Sequence, residues 1–62
     1  MTAEQAKEIV LAKYPKALEV ATGRQVWVQS PETTISKAYA WEKAGPNAAH
    51  LAWLDAAKLV LD

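Results

Sequence analysis

Sixty-two residues make one domain at most, and so short a chain buries only a modest core. The absence of cysteine excludes disulfide staples and thiolate zinc sites, and seven acidic residues balance seven basic ones, so no net field draws a polyanion. The apolar fraction of 52% belongs to a folding chain rather than a disordered one, and no apolar run approaches the length of a membrane span. Glu4 and Glu8 interrupt the first residues, so no secretory leader is expected and a cytoplasmic protein is.

The first element is a helix. Thr2-Ala3-Glu4-Gln5 reads as a capping box, in which Thr2 accepts from the amide three residues on and Gln5 reaches back. Ala6, Ile9, Val10 and Tyr14 recur at helical spacing, while Glu4, Lys7, Glu8 and Lys13 fall mostly elsewhere. Pro15 disfavours α geometry at Tyr14, which sets the helix at about 2–13.

Next, ALEVATGRQVWVQ reads as two strands. Leu18 and Val20 alternate with Glu19, and Val26 and Val28 alternate with Trp27. A three-residue loop, Ala21-Thr22-Gly23, pairs Val20 with Arg24 and Leu18 with Val26. That register places Leu18, Val20, Val26 and Val28 on one face. A two-residue loop would set Leu18 opposite Trp27 and put Val26 and Val28 on the face of Glu19. The longer loop is preferred because its aliphatic face is continuous.

The stretch RQVWVQSPETTISKAYAW, Arg24 to Trp41, supports two readings. In one, Ser30 and Pro31 open a helix that Gly45-Pro46 ends. In the other, Ser30-Pro31-Glu32-Thr33 is a turn with proline second, leading into a third strand. Thr33, Thr34 and Ile35 are consecutive β-branched residues, and a two-stranded hairpin gains from a third strand, so the strand is favoured. It would turn Ser36, Ala38 and Ala40 one way and Ile35, Lys37, Tyr39 and Trp41 the other. After Gly45-Pro46, Asn47 can cap a last helix. Its apolar stripe is Ala49, His50, Trp53, Leu54, Ala57, Val60 and Leu61, with Leu51 and Leu59 off the stripe. The expected fold is α+β: a helix, a three-stranded antiparallel meander and a helix, both helices on the aliphatic face of the sheet.

Chemistry-bearing groups are sparse. His50 is the one histidine. Neither Ser30 nor Ser36 sits in a glycine-tight elbow, and Asp55 is off the face of His50, so neither a nucleophile–base pair nor a metal site is indicated. His50 is expected to be neutral, packed or half-buried, near the start of its helix, where the dipole disfavours imidazolium. Glu4 and Glu8 share a face beside Lys7 and read as solvated charge patterning. The two glycines fall in turns, so no phosphate cradle forms.

The aromatic residues carry the sharper expectation. In the strand reading, Trp27, Tyr39 and Trp41 gather with Lys37 on the open face of the sheet, flanked by Gln25 and Gln29. Such a platform could seat a partner protein, stack bases or merely shield the sheet by cross-strand packing. Electrical neutrality disfavours nucleic acid, for which Arg24, Lys37 and Lys43 would be the phosphate contacts.

Two resemblances bear on this. The helix–three strands–helix order is similar to that of double-stranded-RNA-binding domains, which need basic residues at the start of the last helix. Here that start is PNAAHLAWLDAAK, without Lys or Arg until Lys58. AKEIVLAKYPKA, VWVQSPET and AWLDAAKLV together resemble a class of small uncharacterised phage and prophage proteins, with a helix ending in Tyr-Pro, a short meander and a closing helix. The connection SKAYAWEKAGPNAAH is longer here. The resemblance implies a small accessory protein of a virus or integrated element, and no activity. The expectation is therefore a non-enzymatic protein without cofactor, metal, membrane or small-molecule substrate. It would contact a protein partner or a second copy of itself through Trp27, Lys37, Tyr39 and Trp41 or the Leu51 and Leu59 side of the last helix.

Overall fold

A computed structural model describes the whole chain, Met1–Asp62. Helix α1 (Ala3–Lys13) starts as its capping box dictates: Thr2 Oγ1 accepts from the Gln5 amide at 3.1 Å and Gln5 Oε1 accepts from the Thr2 amide at 2.9 Å. It stops at Tyr14, whose amide donates to the Val10 carbonyl, one residue ahead of Pro15. The helix buries Ala6 and Val10.

Strands β1 (Leu18–Ala21), β2 (Gln25–Gln29) and β3 (Tyr39–Ala40) form an antiparallel sheet in the order β1-β2-β3. The register of the first hairpin differs from the expected one. Val20 stands opposite Trp27 and Leu18 opposite Gln29. Thr22 causes this: its amide donates to the Gln25 carbonyl, and its Oγ1 accepts from the amides of Arg24 and Gln25. The loop is therefore Gly23-Arg24, later and shorter than Ala21-Thr22-Gly23. An odd shift in register turns every β1 side chain over. Leu18 and Val20 lie on the face of Trp27, while Glu19 and Ala21 share the face of the buried Val26 and Val28.

Beyond β2 the chain is neither a continuous helix nor a regular strand. Ser30 and Thr33 close the turn, the Ser30 amide donating to the Thr33 carbonyl at 2.8 Å, and Gln29 bridges to Thr34. Val26 then stands opposite Tyr39. Between these pairs, residues 35–38 of the third strand face only residues 27–28 of β2, so the strand bulges by two residues. The amides of Ile35 and Ser36 both donate to the Val28 carbonyl, and Ser36 Oγ accepts from the Val28 amide at 2.9 Å. Ile35 and Tyr39 do share a face, as alternation requires, but it is the inner face with Val28 and Val26 and not that of Trp27. A turn pairing Gln29 with Thr34 necessarily sets Ile35 beside Val28.

One turn of helix, α2 (Trp41–Ala44), and a 3-10 turn at Gly45–Asn47 lead into α3 (Ala48–Leu61). Gly45 has φ 60° and ψ −142°, a conformation open to glycine. Asn47 does not cap α3: its backbone is already helical at φ −85° and ψ −2°, and its side chain bonds to no helix amide. The buried residues of α3 are Ala48, Ala52, Trp53, Ala56 and Ala57. Trp53 and Ala57 of the expected stripe are buried and Leu54 and Val60 pack against the core, with Leu51 and Leu59 exposed off it; the buried face extends further to Ala48, Ala52 and Ala56, and His50 and Leu61 are exposed.

The fold is α+β, with helices on one side of a three-stranded antiparallel sheet. Helix α3 lies across β2 and β3, and α1 packs on α3. Ala6 and Val10 of α1 join Val28, Ile35, Ala52, Trp53, Ala56 and Ala57 in one core. Val10, Val26 and Val28 are the largest fully buried side chains, each contributing roughly 1.5–3 kcal/mol by leaving water.

Candidate interaction surface

Because the long helices share one side, the other face of the sheet carries its side chains outward. Trp27 is half-buried there, and its Nε1–H donates to Gln29 Oε1 at 2.8 Å, which fixes the indole along its own strand. Val20 is its direct cross-strand neighbour, and Leu18, 52% exposed, stands beside Gln29. On the β3 side, Ala40 pairs with Gln25. Leu18, Val20 and Trp27 form an apolar row bordered by glutamines. The sequence points to Trp27 but misses Leu18 and Val20, since alternation alone leaves them free to lie on either face. The signal that places them is Thr22 ahead of Gly23, a hydroxyl able to close the hairpin on its own backbone.

The residues expected to form one surface fall into separate places. Lys37 shares a shallow depression with Trp27. Its amide donates to Asp55 Oδ2 at 3.0 Å, and its ammonium stands 5.6 Å from the Tyr39 ring centroid. Tyr39 itself is opposite Val26, and with Leu51, Leu54 and Met1 it lines a groove of about 310 Å³ between the sheet and α3. Trp41 closes the hairpin end: its amide donates to the Arg24 carbonyl and its Nε1–H to the Thr22 carbonyl at 3.0 Å. Leu59, 52% exposed, borders a different depression beside Tyr14 and Ile35.

On the inner side, the indole N–H of Trp53 donates to Glu19 Oε1 at 2.8 Å, and the Lys7 ammonium stands 5.5 Å from the Trp53 ring. Glu19 thereby serves the core face, which accounts for a carboxylate in mid-strand. Both serine hydroxyls are committed to backbone: Ser36 Oγ to the Val28 amide and Lys37 carbonyl, Ser30 Oγ to the Thr33 amide and carbonyl. Glu32 is held below the usual carboxylate range, by the Ser30 hydroxyl first, then its own amide, with Lys16 adding a smaller pull. Ser30 has one hydroxyl proton, so its attraction to Glu32 competes with its 3.2 Å bond to the Thr33 carbonyl. The bond to Thr33 is the one the geometry displays. No three His, Asp or Glu side chains gather as a metal site would require, and no helix is long and apolar enough to cross a membrane. Comparison of the chain with models of protein families, with curated proteins and with solved structures finds no match.

Proposed function

We propose that this protein works by contact with another protein molecule, with no chemistry of its own, and that the uncovered sheet face is where contact is made. The observation that carries this reading is the row of Leu18, Val20 and Trp27 on the side of the sheet away from both long helices. A half-buried tryptophan held in one orientation and flanked by aliphatic side chains is the composition of an interface centre, where desolvating few residues yields most of the affinity. The nucleic-acid reading draws less support. Trp27 and Tyr39 lie on opposite faces and cannot stack successive bases together, and the formal charge is zero. The resemblance to small phage and prophage proteins supplies a setting for such a role, that of an accessory protein in an infected or lysogenic cell.

The test is site-specific photocrosslinking in cells producing the protein. A benzoylphenylalanine at Leu18 is expected to yield protein adducts, and the same group at Leu61 on α3 is expected to yield few. Equal labelling at the two positions, or adducts of Leu18 to RNA alone, refutes the reading.

A further inference from the structure

The two edges of the sheet are built differently. The β3 edge is blunted: the strand is two residues long, and the bulge at residues 35–38 precedes it. The β1 edge has no bulge, and its one charge, Glu19, is engaged on the inner face by the Trp53 indole N–H. Its four residues, Leu-Glu-Val-Ala, pair regularly with β2, contain neither proline nor lysine, and include three exposed residues. Proteins ordinarily guard such an edge, because its outward N–H and C=O groups invite another strand. The Thr22 amide points at β2, since it donates to the Gln25 carbonyl. By antiparallel alternation, Val20 and Leu18 also point inward, leaving the main-chain groups of Glu19 and Ala21 on the open edge.

We infer that a second copy of this chain adds to that edge, β1 against β1 antiparallel, with the two-fold axis at Val20. This rests on the proposed use of the sheet face and names its partner. Three registers are symmetric and near the strand centre. An axis at Glu19 sets the two carboxylates opposite each other, which is repulsive. An axis at Ala21 carries Glu19 past the end of the partner strand, opposite Gly23. With the axis at Val20, Glu19 and Ala21 of the two copies exchange main-chain hydrogen bonds in both directions. Each Glu19 carboxylate then meets a methyl group and keeps its bond to Trp53. On the open face the side chains line up as Trp27, Val20, Val20 of the second copy and its Trp27, because Val20 already faces Trp27 within each chain. Zero formal charge leaves no net repulsion between copies. A four-residue edge falls short of the roughly 1,200 Å² of a stable interface, so the dimer is weak, with a dissociation constant on the order of 100 µM.

The chain has no cysteine, so single thiols report the register. In a non-hydrogen-bonded pair the Val20 Cα atoms lie about 4.5 Å apart, within disulfide reach. Val20→Cys is expected to give a disulfide-linked dimer under mild oxidation at 200 µM, at least about tenfold faster than Ala21→Cys, which faces Glu19 of the other copy. Sedimentation of the unmodified chain up to about 1 mM is expected to show a rising dimer fraction. Val20→Lys, which keeps all main-chain groups but opposes two ammonium ions, is expected to abolish it with the helical circular dichroism intact. A monomer at every concentration, or equal oxidation of the two thiol variants, overturns the inference. If Leu18 photoadducts to a different protein persist in that case, the sheet face keeps its proposed role and only the second copy is excluded.

Discussion

Ser36→Ala separates the bulge from an ordinary loop. Ser36 is 3% exposed, and its Oγ is the acceptor for the Val28 amide at 2.9 Å. Val28 is wholly buried, and its carbonyl already accepts from the amides of Ile35 and Ser36. Removing the hydroxyl leaves a buried N–H without its acceptor, a loss of about 1–3 kcal/mol. The Lys37 carbonyl, which accepts the Ser36 proton at 3.0 Å, belongs to an exposed residue and is resolvated at little cost. Ser30→Ala is the matched control. It removes a hydroxyl from a turn whose partner, Thr33, is exposed, and costs less than about 1 kcal/mol. A domain of this length has a total stability of roughly 3–9 kcal/mol, so the first variant should lower the urea midpoint by about a tenth at the least and about a third at the centre of both ranges, and the thermal midpoint by about 4–8 °C per kcal/mol. Equal shifts for the two serines, or a Ser36→Ala loss below about 0.5 kcal/mol, would refute the claim that this hydroxyl completes the ladder in place of a main-chain carbonyl.

Glu19→Ala should cost about 1 kcal/mol and red-shift the Trp53 emission, because the indole N–H loses its acceptor; Glu19→Gln, which keeps an amide oxygen, should recover most of both. Gly45→Ala should destabilise by about 1–3 kcal/mol in urea titration through backbone conformation alone, since its φ is 60° and no atom lies within 4 Å of the added carbon. Carboxyl chemical shifts should place the Glu32 midpoint below that of a free glutamate side chain, and Ser30→Ala should raise it. The folded-state value is depressed, so the contribution to the turn is present above the unfolded value and is lost as pH falls through the folded one. Leu18→Lys should leave the unfolding free energy from urea titration within about 0.5 kcal/mol of the parent, as an exposed residue on an uncovered face should.

What the sequence discloses and what it hides follow from how local each determinant is. The first helix is fully legible because a capping box and a proline, both within one turn of its ends, decide it. Strand identity in β1 and β2 is equally local. Register is not: the choice between loops rests on one hydroxyl at Thr22, and an odd slip exchanges Leu18 and Val20 for Glu19 and Ala21. The same parity carries Tyr39 away from Trp27 and separates the aromatic residues expected together. The strand-or-helix question at residues 33–44 has no single answer, since the chain is extended through Thr34, bulged at Ser36 and helical from Trp41. In the last helix the stripe through Trp53, Leu54, Ala57 and Val60 is legible from spacing, but its edges are not: close packing also buries Ala48, Ala52 and Ala56 and leaves His50 and Leu61 exposed.

Those alanines shape how the molecule can vary. Ala6 of α1 and Ala52, Ala56 and Ala57 of α3 all have 0% exposure, in the core that joins the two helices to β2. A side chain one carbon long has almost nothing to give up and no room to grow: glycine would loosen each helix by about 1 kcal/mol, and any larger residue would wedge the pair apart at about 1–3 kcal/mol. The seam is therefore already at its tightest, and a more durable descendant of this chain would have to draw its gains from the sheet and the turns instead.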